Sequence, residues 1–332
     1  MICFFSANRD VSVGSYRIWV EDLSYYFSKI GVKSTIISDP NKIYKYDTVI
    51  FSKQHPDLAA QAKSIFPRKK IGTINLAADQ SSNPCDFVIV GSIEEKISLS
   101  EHKNVFIFPL IEQTFQNSEL KNHLLKKDSE RTKICFHGHN PHLNKFEYGL
   151  RQALESLDNK IELELHVITG DPNYNWQYGK PKIKNIKMKK WDITTIKEDI
   201  LECDIGLVPN ITDLITFNKD YNPKIKNNFG LHNTDYFFRF KNKSNAGRCF
   251  VFHQLGVPVI ADLTPSNLHI LGNPECGYIA NNKQTWEAAM MDMTDKNKRD
   301  LVSKKAKEEF DRLYDPLDWA ARLHKKIIQL GV

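Results

Sequence analysis

The sequence predicts an α/β protein built of two Rossmann-like domains, and three observations carry that reading. The first forty residues form one β-loop-α-β unit, the kind that builds a parallel sheet. Apolar strands and amphipathic helices then alternate to residue 112, and after a polar stretch the same alternation restarts at Lys133. At 332 residues the chain is long enough for two ordinary domains, each burying its own core.

Residues 2–5 are a continuous apolar run and read as a buried strand. The loop 6–15 turns at Gly14 and Ser15 into a helix that sets Tyr16, Trp19, Val20, Leu23, Tyr26, Phe27 and Ile30 on one face and stops at Gly31. Strands follow at 33–38, 47–51, 70–76, 87–90 and 105–110, with a helix at 56–66. The first loop sits at the carboxyl end of a strand, where open α/β sheets place their crevice. Lys53 and His55, Asn75 and Asp79, Ser92 and Glu94, and Glu112 end further strands and would line the same edge. Polar residues also end strands for purely structural reasons.

Residues 113–132 are polar and nearly free of aliphatic side chains, which marks a linker between a first domain of 1–112 and a second of 133–315. The second half opens with a strand at 133–136, a loop His137-Gly-His-Asn-Pro-His142, a helix over 144–157 and a strand over 161–168. Three histidines in that loop suggest a metal, but no Cys or carboxylate cluster accompanies them. A glycine-containing turn that brings Gly138 and His139 to a ligand is preferred. Lys182 to Lys190 alternates cations with apolar residues, the pattern of a strand with one solvated face. It lacks the interleaved aromatics of a nucleic-acid binder. A helix over 194–202 leads to a buried strand over 203–209, and the asparagine-rich stretch 210–234 is longer than an ordinary connection. After a strand at 257–261 come helices over 286–293, 299–313 and from Pro316 onward.

The densest cluster of candidate residues lies at 235–262. Arg239, Lys241 and Lys243 run into Ser244, a natural N-cap, and an apolar helix containing Arg248 in its first turn continues to Gly256. A helix start presents free amides and partial positive charge, so this stretch is suited to an anion.

The composition, 41% hydrophobic and 26% charged, is that of a soluble globular chain. The net charge of +6 fits phosphorylated ligands, loose attraction to an anionic membrane, or simply a solvated surface. Six scattered cysteines read as buried free thiols in a reducing compartment. No apolar run reaches the roughly 18 residues of a membrane helix, and the apolar opening stops at Phe5, short of a signal-peptide layout. The expected location is cytoplasmic, with peripheral contact at the inner face of a membrane as the alternative.

Four segments taken in order carry a resemblance: Cys203-Asp-Ile-Gly-Leu-Val-Pro209, Lys243-Ser-Asn-Ala-Gly-Arg248, Gln254-Leu-Gly-Val-Pro-Val-Ile-Ala261, and Gly277-Tyr278. Together they resemble the nucleotide-sugar domain of GT-B glycosyltransferases of the GT-4-like group over residues 133–330. The resemblance implies two Rossmann-like domains facing each other across a cleft, with a last helix, 316–332, crossing back to the first. It also implies transfer of a sugar from a nucleotide-activated donor to a glycan or lipid-linked acceptor, in surface polysaccharide or lipopolysaccharide synthesis; the cations Arg239, Lys241, Lys243 and Arg248 with the helix start would neutralise the leaving group, so neither metal nor added cofactor is expected. Nucleic acid is not an expected partner, and the oligomeric state is open.

Retaining members of that group carry a pair of glutamates that, counted back from Gly256, fall on Lys243 and Val251 here. Their absence opens the way to another donor, such as a CMP-activated acidic sugar like Kdo, whose carboxylate and single phosphate suit Lys and Arg. The expected leaving-group residues are Arg248 and Lys243, with Asp235 as nucleophile or base. Donor contacts are expected from Gly138, His139, Arg239, Lys241, Ser244, Asn245 and Glu275, and acceptor contacts from Gly14, Ser15, Arg17, Lys53 and His55. A non-catalytic nucleotide- or sugar-binding protein on the same scaffold is the rival reading.

Overall fold

The computed structural model describes residues 1–77, 80–125, 130–147, 149–176, 179–210 and 244–331. They divide into two units: Met1–Thr114 with the chain from Tyr314 onward, and the chain from Phe115 to Leu313. Each unit is organised on a six-stranded parallel sheet.

In the first unit the strands β1 (Ile2–Phe5), β2 (Ser34–Ile37), β3 (Thr48–Phe51), β4 (Lys70–Ile74), β5 (Phe87–Val90) and β6 (Val105–Ile107) lie in the order β2-β1-β3-β4-β5-β6. Alternate side chains serve opposite faces. Phe4, Ile50 and Ile89 pack with Trp19, Phe27 and the carboxyl-terminal helix residues Ala320, Leu323 and Ile327. Cys3, Val49, Phe51 and Val88 pack with Ala59 and Ala62 on the other side. Cover on both faces is why these strands read as unbroken apolar runs. The helices are α1 (Gly14–Tyr16), α2 (Leu23–Lys29), α3 (Pro56–Ile65), α4 (Ile93–Ile97) and, at the end of the chain, α11 (Pro316–Ile328). Between α1 and α2 the chain widens into a π-helix, Arg17–Asp22, which the apolar periodicity did not foretell.

The second unit places β7 (Thr132–His137), β8 (Leu163–Thr169), β9 (Ile186–Lys190), β10 (Ile205–Val208), β11 (Val259–Asp262) and β12 (Tyr278–Ala280) in the order β12-β11-β10-β7-β8-β9. Its helices are α5 (Leu150–Asp158), α6 (Ile196–Leu201), α7 (Gly247–Gln254), α8 (Pro265–Leu271), α9 (Lys283–Asp292) and α10 (Lys296–Leu313). The helix expected over 144–157 is split into a 3-10 turn, Asn140–Glu147, and α5. The break falls at Gly149, whose φ of 95° suits glycine and where a Cβ would meet the Lys283 nitrogen at 2.7 Å. In β9, Ile186 and Met188 face the core, while Lys187 and Lys189 bind Glu164 at 2.8 Å and Asp199 at 2.7 Å.

The polar stretch 113–132 is docked where it is described. Lys121 donates its amide to the Leu255 carbonyl at 3.0 Å and its ammonium to the Leu201 carbonyl at 2.6 Å. His123 is buried with Nε2 2.9 Å from the Gly256 carbonyl oxygen. The cysteines are free and buried. Among the described residues no helix is long and apolar enough to cross a membrane.

Strand order decides where each sheet opens. In one sheet β1 lies between β2 and β3; in the other β7 lies between β8 and β10. Connections leave those central strands in opposite directions, which creates a crevice at the carboxyl ends of β1 and β3 and of β7 and β10.

Candidate functional site

At the carboxyl end of β7 the chain turns through Gly138, with φ 147°. A Cβ there would lie 3.3 Å from Cδ of Arg248 and 3.3 Å from the Phe136 ring. At the end of β10 come Pro209 and Asn210. Nη2 of Arg248 donates to the Pro209 carbonyl at 3.2 Å and to Oδ1 of Asn210. Asp262, the last residue of β11, accepts the Asn210 backbone amide on its carboxylate. Its own carbonyl accepts from Nδ2 of Asn267 at 2.9 Å, while Thr264 caps α8 by accepting the Asn267 amide at 3.2 Å. Three neighbouring strand ends thus fix one guanidinium at the crevice of the second sheet.

That guanidinium keeps capacity for a ligand. Nη1 of Arg248 is buried and has no hydrogen-bond partner among the described residues; the same holds for Nδ2 of Asn210 and Nε2 of His137. The Arg248 guanidinium carbon lies 5.5 Å from the centre of the Phe136 ring, so one face rests on an aromatic surface. Burial lowers its pKa to about 10, with Cys249 and Asp262 opposing the shift, so it remains a cation at neutral pH. Burial, reinforced by the Arg248 charge, holds the His137 imidazole at about 3, and its ring sits edge-on to Phe252 with centroids 4.9 Å apart. His137 is therefore a neutral wall. A cation whose Nη1 has no partner among the described residues, beside a glycine backbone, is an arrangement that accepts an anionic oxygen.

The structure brings Gly138 and Arg248 together and separates other expected members. His139 is exposed beyond the turn. Ser244 is not the N-cap: α7 begins at Gly247 with Ala246 in the cap position and no side-chain cap bond. The early start was inferred from Ser244 alone, whereas Oδ1 of Asn245 accepts the Gly247 amide at 3.3 Å. Glu275 is exposed in the turn Pro274–Cys276 that precedes β12. Because Tyr278 pairs with Ile260 in a parallel sheet, that turn lies on the amino edge, opposite the edge that carries Gly138. Asp235, Arg239, Lys241 and Lys243 fall outside the described residues, as do Asp79 and the asparagine-rich segment after Asn210.

Sequence reasoning missed Asn210 and Asp262. The signal was present, since each stands at the carboxyl end of an apolar strand.

The first unit has its own crevice. His55 follows β3, and its Nε2 accepts the Ala7 amide from the loop after β1 at 3.2 Å, bridging the two central strands. Phe5 packs edge-on to the same ring at 5.3 Å, and burial lowers the pKa of the imidazole. Lys53 is exposed beside it, and Gly14 and Ser15 are half-buried at the start of α1. Arg17 departs from its expected role. It is buried, with Nε and Nη2 at 3.2 Å and 2.6 Å from one Glu112 oxygen and Nη1 donating to the Val11 carbonyl at 2.7 Å. It ties the first loop to the chain after β6 and does not present itself to an acceptor.

No family model matches the chain, and no curated protein matches it in sequence. Solved structures do match in fold. Sucrose-phosphate synthase from Thermosynechococcus elongatus superposes with a TM-score of 0.65 at 12% identity, covering 99% of this chain and 98% of that one. HepE from Anabaena, solved with UDP and glucose, gives 0.63 at 8% identity with 99% of each chain covered. A glycosyltransferase from Rickettsia africae gives 0.62 at 13% with the same coverage. The chain has the GT-B fold.

Proposed function

We propose that this chain is a glycosyltransferase that moves a sugar from a nucleotide-activated donor to a glycan or lipid-linked acceptor, in synthesis of surface polysaccharide. The observation that carries the proposal is the buried Nη1 of Arg248, which has no hydrogen-bond partner among the described residues, on a guanidinium held through Nη2 by Pro209 and Asn210 beside Gly138 at the crevice of the second sheet. The likeness to HepE, whose structure holds UDP and glucose, supports the same reading.

In glycosyl transfer the bond between the anomeric carbon and the donor phosphate breaks while an acceptor hydroxyl bonds to that carbon and gives up its proton. Negative charge grows on the departing phosphate, and a cation fixed beforehand lowers the barrier without having to reorganise. Arg248 fills that role, with the Gly138 backbone allowing close approach. Arg248 is a charge that needs no metal to neutralise a phosphate. His55 and Lys53, at the crevice of the first sheet, are the residues assigned to the acceptor. Asp235, the base suggested by sequence, and Lys243 remain candidates to be tested by substitution.

The rival reading, a non-catalytic nucleotide or sugar binder, has one observation in its favour. Val251, at a position where retaining relatives of this fold are expected to carry glutamate, is 1% exposed and belongs to the packing of α7.

The test is a thermal-shift screen with CMP, UDP, GDP and their sugars, followed by donor hydrolysis without acceptor. A ligand at about 100 times its Kd stabilises the folded state by about 2.7 kcal/mol, so the preferred base stands out. Slow release of sugar supports the transferase. Binding without hydrolysis, and without transfer to any glycan tried, supports the binder.

A further inference from the structure

The amino edge of the first sheet, opposite its crevice, carries exposed apolar side chains set among cations. Tyr44 is 60% exposed, Ile65 68% and Ile328 58%. Hydrogen bonds tie these residues to one edge. Lys69, just before β4, donates its ammonium to the carbonyls of Tyr44 at 2.9 Å and Tyr46 at 2.7 Å, just before β3, and lies over the Phe66 ring at 5.6 Å. Lys70, the first residue of β4, donates to the carbonyls of Ile327 at 3.1 Å and Ile328 at 3.0 Å, which brings the end of α11 to the same edge. Lys45 stands over the Tyr44 ring at 5.7 Å, and Lys42 and Arg68 are exposed. Of the acids beside them, Asp86 is neutralised by Lys63 at 2.7 Å, and Asp47 is exposed.

We infer that this edge is a docking surface for an anionic lipid bilayer. Tyrosine favours the membrane-water interface because its ring is apolar and its hydroxyl wet. Lysine and arginine stems lie along apolar surface while their charges reach the headgroups. Charge complementarity selects the occupant. Apolar residues standing singly among cations do not form the contiguous patch that a protein partner packs against, but each can enter a fluid headgroup layer separately. The inference stands on the first unit alone and does not depend on the reaction proposed above.

The experiment is co-sedimentation of the full chain with vesicles of phosphatidylcholine alone and of phosphatidylcholine with about one quarter phosphatidylglycerol. The wild-type chain is expected to pellet with the anionic vesicles, to stay in solution with the neutral ones, and to be released at about 0.5 M salt, where charges are screened within a few ångströms. The combined variant Lys42→Glu, Lys45→Glu, Arg68→Glu is expected to lose binding by about tenfold or more, and Tyr44→Ser with Ile65→Ser to lose a smaller part of it. All substituted residues are exposed, and an unchanged thermal midpoint checks that the fold is kept. Failure of the wild type to pellet with anionic vesicles, or equal pelleting of the charge-reversed variant, would overturn the inference. So would stronger retention on single-stranded DNA than on the vesicles.

Discussion

The backbone of Gly138 and the side chain of Arg248 are in contact across the crevice of the second sheet: a Cβ on the glycine would stand 3.3 Å from Cδ of the arginine and 3.8 Å from its Nη1. Glycine is needed there twice, for the φ of 147° and for the space. Gly138→Ala is expected to cost about 1–3 kcal/mol of stability through backbone strain. It should also weaken nucleotide binding by about tenfold, since the added methyl displaces the guanidinium. Chemical denaturation and nucleotide titration read the two effects separately.

Arg17 and Glu112 form a buried pair at 2.6 Å. Removing one partner takes the ion pair from a largely shielded site, so Arg17→Ala is expected to destabilise by about 3 kcal/mol. Glu112→Gln should do less, and the double variant less than the sum of the two. Urea unfolding of the four proteins measures this. Nucleotide affinity should be unchanged, because both residues lie in the first unit.

Asp22 is buried, and burial pushes its carboxyl up to about 7 against the opposing Gln113 amide, which it accepts at 3.0 Å. Its folded pKa is thus above the unfolded value of about 3.9. The folded state holds the proton more tightly, so this contribution is complete below pH 4 and is lost as pH rises through about 7. Asp22→Asn keeps an acceptor for the amide and removes the titration. Denaturation midpoints taken from about pH 5 to pH 8 should fall for the wild type and stay flatter for the variant.

Much of the architecture could be read from the chain because parallel strands covered on both faces leave unbroken apolar runs, as in Ile2 to Phe5 and Phe87 to Val90. Arg248 and Gly138 were legible for local reasons, a cation near a helix start and a glycine after a strand. What the chain did not reveal was non-local. Arg17 looked like a surface cation because its partner Glu112 is 95 residues away. Glu275, expected to contact the donor, precedes β12 and so falls on the amino edge, which only the parallel pairing of β12 reveals. Ser244 was an attractive cap by residue type, but the helix it should have capped starts three positions later. Asn210 and Asp262 were overlooked because their bonds join the ends of β10 and β11 to Arg248 on α7, a neighbourhood that only the sheet order creates.

The central claim is that Arg248 receives the phosphate of a nucleotide-activated donor, and calorimetric titration tests it most directly. CMP, UDP and GDP are titrated into the wild type, Arg248→Lys and Arg248→Ala, with circular dichroism confirming the fold. One nucleotide should bind the wild type, about tenfold more weakly the lysine variant, which keeps the charge but loses the Nη2 that donates to Pro209 and Asn210, and more weakly still the alanine variant. Equal affinity for all three proteins, or no nucleotide binding to the wild type, would contradict the account.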